Sequence, residues 1–234
     1  MMQRPKAILT FTAALAFAAA SYSARNFRGY DPAAFPVPVM NPPFQPAPWA
    51  FSIWGLIFLA LIAQAGFGLF RRAEDRAWDA PRWPLMLSMA LGASWLAVAM
   101  RAPVLATVQI WLMAGLALLA LARVPKGEEF ALRAAPIGLY AGWLTAATMV
   151  ATGTVLVGYG LLPLGVASWV VLAAAVAVGL AVTARLAPGA AYPAGVIWAL
   201  IGIIAANTAN PALIAGAAVA ILALGATGWM HRAG

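Results

Sequence analysis

The 234-residue chain contains no cysteine, which excludes disulfides, thiolate metal sites, iron–sulfur clusters and cysteine nucleophiles. Histidine is nearly absent: the single one, His231, stands close to the C-terminal end. Histidine-based catalysis or haem ligation within the bilayer is therefore nearly excluded. Charge is scarce as well. Asp, Glu, Lys and Arg make up 9% of the residues and hydrophobic types 65%, against about 25% and about 45–50% in soluble domains. So few charges cannot cover a water-facing surface, and the chain reads as an integral membrane protein. Paired carboxylates in an apolar setting, a Walker loop and a metal-ligand cluster are all missing; Glu128 and Glu129 are adjacent but fall in a polar connection expected to be solvated. An enzyme would have to work with Tyr, Ser, Thr and Asn alone. We expect no catalytic residues, no metal and no required cofactor.

What is present is long apolar runs. A bilayer crossing takes about 20 mostly apolar residues, and eight such runs lie at 6–22, 49–70, 84–100, 103–122, 135–157, 163–184, 192–207 and 211–229. They leave only short connections apart from 23–48, and no room for a separate soluble domain. The expected fold is an all-α, polytopic transmembrane helical bundle, a single integral membrane domain over 1–234. The first run, with its basic start and small residues near Ala18 to Ser21, also describes a cleavable signal peptide. A retained helix is the favoured reading, and cleavage would leave seven spans in the same orientation.

Lys and Arg test the map independently, because they are retained on the cytoplasmic side. With the N-terminus inside, the inner segments hold Arg4, Lys6, Arg71, Arg72, Arg76, Arg82, Arg123, Lys126, Arg133, Arg185 and Arg232, and the outer ones only Arg25, Arg28 and Arg101. Both ends are thus expected in the cytoplasm. The net charge of +8 reads as membrane orientation and not as a nucleic-acid surface. No Asp, Glu, Lys or Arg falls inside a predicted span, with Arg101 at a boundary. Proton relays and ion-coupled carriers commonly use such groups, so that class is disfavoured, although backbone carbonyls can bind cations.

In the fifth span Ala134, Gly138, Gly142 and Ala146 recur every four residues, a stripe that lets another helix approach closely. Tyr140, Trp143 and Ala147 fall on roughly the opposite face, since each residue advances about 100°. They form either packing or an aromatic wall facing a cavity. Thr145, Thr148 and Thr152 lie between, with hydroxyls expected to bond back to the preceding turn. Asn210 before Pro211 reads as the cap of the last helix, and Gln64 and Gln109 read as interhelical hydrogen bonders. Trp at 49, 78, 83, 111 and 229 lies near predicted boundaries, where an interfacial belt is the ordinary cause. Trp54, Trp95, Trp143 and Trp198 lie deeper.

Residues 31–48 carry seven prolines interleaved with Phe35 and Phe44. Such a segment forms neither helix nor central strand and makes a semi-rigid extended cover, most simply a lid on the outer end of the bundle. The lid and upper wall would use Phe44, Trp49, Phe51 and Trp54. Phe51, Trp54 and Phe58 are spaced i, i+3, i+7, so one helix face could present all three.

The stretch NPPFQPAPWAFSIWGLIFL at 41–59, following a first helix and a Pro-rich loop, resembles the translocator protein or tryptophan-rich sensory protein family (TspO/MBR). Tyr140, Trp143 and Ala147 match the spacings of that family's fifth helix, with Pro136 somewhat upstream. The resemblance covers about 1–157, the five-helix part, with three additional helices over 158–234. The Phe-Ser-Ile-Trp-Gly run is similar to that of longer bacterial members. Two positions depart: Gly92, three before Trp95, and Ala151 stand where the family commonly has Asn, so two polar anchors for a ligand are missing. The resemblance implies a sensory or regulatory protein of the bacterial inner membrane that binds a tetrapyrrole such as a porphyrin, or a sterol-like lipid. The residues by themselves support a large, apolar, aromatic-compatible ligand. Phe44, Trp49, Phe51, Trp54, Trp95, Tyr140, Trp143 and Ala147 are the candidate ligand-binding residues. A transporter or exporter of such ligands, and a structural subunit of a larger membrane complex, are the alternatives. The expected partners are the lipid bilayer, a hydrophobic small molecule and, for a protein partner, a second copy or a membrane complex.

Overall fold

The computed structural model describes residues 3–22, 29–186 and 189–230. Arg25, Arg28, His231 and Arg232 lie outside the described residues. The described elements are α1 Gln3–Tyr22, α2 Ile53–Phe70, a single turn α3 Arg76–Asp79, α4 Arg82–Ala99, α5 Pro103–Ala122, α6 Phe130–Gly158, α7 Leu164–Leu186, α8 Ala191–Ala206 and α9 Pro211–Met230. Two 3-10 turns, Pro32–Ala34 and Pro48–Ser52, lie in and at the end of the Pro-rich loop. Every predicted run is helical, and no strand is found among the described residues. The fold is an all-α polytopic membrane bundle. Five helical segments are long and apolar enough to cross a membrane unaided: Pro48–Phe70, Pro103–Ala122, Phe130–Gly158, Leu164–Leu186 and Pro211–Met230. The other three are flanked by neighbours. α1 lies along α4 and α2, and the 16-residue α8 lies along α6, α9 and α7.

Local chemistry sets the helix ends. Pro103 opens α5, where a missing N–H costs nothing because the first-turn N–H groups have no intrahelical partner. Asn210 Oδ1 accepts from Leu213 N at 3.1 Å, the cap expected before Pro211. Asp75 Oδ1 accepts from Ala77 N and Trp78 N and so nucleates α3.

α6 is the central helix, 29 residues long and hence about 44 Å. It runs from Phe130, five residues earlier than expected, with Pro136 inside. Its small-residue stripe receives α8 backbone to backbone. A Cβ on Gly142 would lie 3.1 Å from the Tyr192 carbonyl carbon and nearer still to its oxygen, and one on Gly195 would lie 2.7 Å from Trp143 N. Only glycine permits this approach. Tyr140 and Trp143 consequently point away from α8, toward α1 and α2, where they meet Phe17, Phe51 and Trp54.

The end of the bundle opposite the Pro-rich loop is a polar clasp. The Arg82 guanidinium is buried and donates to the Gly68, Arg72 and Ala73 carbonyls, tying off the end of α2. Lys6 pairs with Asp79 at 2.9 Å. Arg72 grips Glu129 through two nitrogens, at 2.6 and 3.2 Å, and Trp78 Nε1 donates to the same carboxylate at 2.8 Å. The hydrogen bonds from Arg72 and then Trp78 hold the Glu129 carboxyl below its ordinary value. Two expectations are corrected here. Trp78 is fully buried instead of interfacial, and Glu129 is bonded across two loops instead of simply solvated. Trp83 and Trp229, by contrast, are exposed as an interfacial belt requires.

Candidate functional site

The Pro-rich loop is strapped to the helices that follow it in sequence. Val37 N donates to Gly158 O at 2.9 Å, and Ala47 N to Gly202 O at 3.0 Å. The Asn207 amide donates to Pro43 O at 2.7 Å, and Trp198 Nε1 to Ala50 O at 2.7 Å. Proline restricts the loop's freedom before it docks, so its ordering costs less entropy. Phe44 is buried between loop, α6 and α7, and Gly202 lets Pro46 and Ala50 lie directly on α8: a Cβ there would be 2.8 Å from both side chains.

Beneath this strap lie two chambers. The first, about 530 Å³ including its mouth, is roofed by Tyr30, Gln45 and Pro46 and walled by Val150, Ala151 and Ala199. The second, about 770 Å³ on the same measure, lies between α1, α2 and α4 against Phe17, Trp54, Phe58 and Gly92. Phe51, Trp95, Ile110, Trp143 and Ala147 line both. The chambers therefore meet at an aromatic waist. There Phe51 stands edge-on to Trp143, with ring centres 5.7 Å apart at 85°, and Trp54 at 6.2 Å and 86°. Trp54 lies parallel to Phe58 at 5.4 Å and 19°. Edge-to-face contact fixes the rings and leaves faces against which a flat molecule can pack.

The walls are held by a repeated hydrogen-bond device. Ser88 Oγ donates to Met113 O, so its bond with Tyr140 OH at 2.9 Å is donated by the tyrosine. Thr145 donates to Ala141 O and receives Tyr192 OH; Thr107 donates to Pro103 O and receives Tyr30 OH. Each hydroxyl has one proton to give, so all three tyrosines are committed donors. Burial pushes the Tyr30 hydroxyl up to about 12, and it stays neutral at physiological pH. The cavity wall is apolar with its polar groups mostly turned into the protein.

A family model described as TSPO-like protein matches residues 7–230. The chain belongs to the TSPO-like protein family. The match takes in the last three helices as well as the first five. No curated protein and no solved structure matches the chain.

Within this TSPO-like bundle, Phe51, Trp95, Trp143 and Ala147 are brought together around both chambers, and Trp54 lines the second. The expected shared face of Phe51, Trp54 and Phe58 is real, although Phe51 sits in a 3-10 turn before α2. Three candidates lie elsewhere. Phe44 anchors the strap, Trp49 is half exposed with its ring edge-on to Trp198 at 5.4 Å, and Tyr140 is packed behind the wall on Phe17 and Ser88. The two departures from the family pattern, Gly92 and Ala151, both line the cavity. A Cβ at Gly92 would lie 2.5 Å from Phe17 Cε2, so a side chain at that position requires the Phe17 ring to move. Tyr30, Gln45, Phe17 and Ala199 were not among the expected site residues. Of these, Tyr30 and Gln45 sit beside the Pro-rich run, a signal that could have found them; Phe17 and Ala199 carry none.

Proposed function

We propose that this membrane protein is a ligand-binding protein of the sensory type, holding a large, flat, apolar molecule in the joined chambers under the Pro-rich loop. The observation that supports this reading is the aromatic waist of Phe51, Trp54, Trp95 and Trp143, roofed by a loop with four hydrogen bonds to the bundle. The ligand class we propose is a porphyrin-like tetrapyrrole or a sterol-like lipid, as the resemblance to the tryptophan-rich sensory proteins implies. Gly92 and Ala151 shift the preference toward the less polar of these. We place the chain in a bacterial inner membrane with both ends cytoplasmic and the loop outside, on the distribution of Lys and Arg, and assign it no catalytic step.

The test is titration of the purified protein with protoporphyrin and, separately, with cholesterol, read by tryptophan quenching at matched amounts of folded protein. Trp143→Ala removes one wall of the waist and should weaken binding about threefold to tenfold relative to wild type. Trp83→Ala, exposed at the opposite end of the bundle, should leave it unchanged. Equal affinity in both variants would remove Trp143 from the site, and saturable binding of neither compound would remove the proposed ligand class.

A further inference from the structure

Trp143 is 2% exposed, yet its Nε1 has no hydrogen-bond partner among the described residues. Three buried side-chain polar atoms share that condition, and Trp143 Nε1 alone among them belongs to a residue of the aromatic waist. The other two are Gln64 Oε1 and Arg133 Nε, which sit nearer the opposite end of the bundle. An orphaned donor is costly, and more so in a membrane interior that offers no water. Three other polar groups around the cavity have acceptors within the protein: Tyr30 OH bonds Thr107, Trp95 Nε1 donates to Ala106 O at 2.9 Å and Thr154 Oγ to Val150 O at 2.9 Å. The indole ring cannot swing to find a partner. Its backbone is hemmed in by α8, since a Cβ on Gly195 would lie 2.7 Å from Trp143 N, and Phe51 and Trp54 bracket the ring edge-on.

We propose that the Trp143 indole N–H is the donor that selects, among flat apolar molecules, those carrying a carbonyl oxygen on the ring frame, as a quinone or cyclic ketone does. This rests on the cavity reading above and deepens it. A hydrocarbon of the same shape would fill the waist and leave the N–H unpaired, whereas a ketone would pair it without introducing a charge that the apolar wall cannot solvate. The acceptor belongs at the waist, where both chambers are reached, so the ligand would extend on either side of it.

Fluorenone and fluorene, nearly identical in shape and differing at one carbonyl, are the probes. Binding of each is measured to wild type, Trp143→Phe and Trp83→Phe in detergent, corrected for partition into protein-free micelles. Trp143→Phe keeps the aromatic ring and removes the N–H. Wild type should prefer fluorenone by about threefold to tenfold, the worth of one neutral hydrogen bond. Trp143→Phe should lose that preference, and Trp83→Phe, outside both chambers, should keep it. In wild type labelled with ¹⁵N-tryptophan, the indole resonance missing from Trp143→Phe should move downfield with fluorenone and not with fluorene. Binding of both probes with no ketone preference, or a preference that survives Trp143→Phe, overturns the proposal while leaving the cavity reading standing. Saturable binding of neither probe overturns both.

Discussion

Replacing Gly142 by alanine adds one methyl group where, among the glycines of the described residues, an added carbon would meet its nearest neighbour. The new carbon would lie 3.1 Å from the Tyr192 carbonyl carbon and 3.3 Å from Gly195 Cα, with the Tyr192 oxygen nearer still. All three neighbours are backbone, so no rotamer change relieves the contact, and α8 must move off α6. Overpacking of this kind costs about 1–3 kcal/mol, and the better helix propensity of alanine offsets up to about 1 kcal/mol of it. Gly115 and Gly225 give the opposite sign. A Cβ at either meets nothing within 4 Å, so alanine there should stabilise by up to about 1 kcal/mol. The assay is thermal unfolding in one mild detergent, followed by tryptophan fluorescence. With about 2–4 °C per kcal/mol for a chain of this size, Gly142→Ala should melt several degrees below Gly115→Ala. Because α8 carries Trp198 and Ala199, the displaced helix should also loosen the strap and widen the first chamber. A Gly142→Ala protein melting at or above Gly115→Ala would refute the backbone-to-backbone crossing on which the placement of Trp143 depends.

Asn207→Ala removes the side-chain bond to Pro43 O and should raise hydrogen exchange and protease cleavage across 31–48, with a stability loss of about 0.5–1.5 kcal/mol; unchanged protection would deny the strap. The Glu129 carboxyl, held below its ordinary value of 4.5 by Arg72 and Trp78, stabilises the fold fully above that value and loses the contribution as pH falls through the lowered one. Wild type should therefore outlast Glu129→Gln in melting temperature at pH 7, with the gap narrowing only as pH falls well below 4.5; a gap that widens on acidification would contradict this. With no native cysteine, Gly127→Cys and Gly160→Cys report sidedness cleanly. In intact cells an impermeant thiol reagent should reach residue 160 and not 127, and the reverse pattern would invert the topology.

The helices were legible because apolar runs of bilayer length are bounded by Arg, Pro and Gly, and the Asn210 cap was legible because capping is a local signal. The stripe of Ala134, Gly138, Gly142 and Ala146 was legible as a docking face, while its partner was not. Nothing in the spacing of Tyr192 and Gly195 names α6, since pairing is settled by the whole bundle. Gln109 met its expectation, donating to Leu91 O and Ser94 Oγ, while Gln64 Oε1 did not. Trp78 was misread because proximity to a boundary cannot distinguish a belt residue from one buried beneath a loop that folds back to place Glu129 over it. The site was half legible. Aromatics spaced along α2 and α6 could be assigned to faces, whereas Phe44 and Trp49 lie in a loop without period, where no rule says which ring turns inward. Phe17 was invisible for a different reason: it fills the room that Gly92 vacates, a compensation between two helices that a single sequence does not display.

The cavity under the loop is tested most directly by blocking it. Ala147 lines both chambers, and Ala147→Phe would fill the waist with a fifth ring. Wild type and this variant, purified in the same mild detergent and shown to melt alike, are extracted with organic solvent and the extracts compared by mass spectrometry. An apolar, ring-bearing compound present in stoichiometric amount in the wild-type extract and missing from Ala147→Phe is the predicted result. The same compounds in equal amount from both proteins would contradict it.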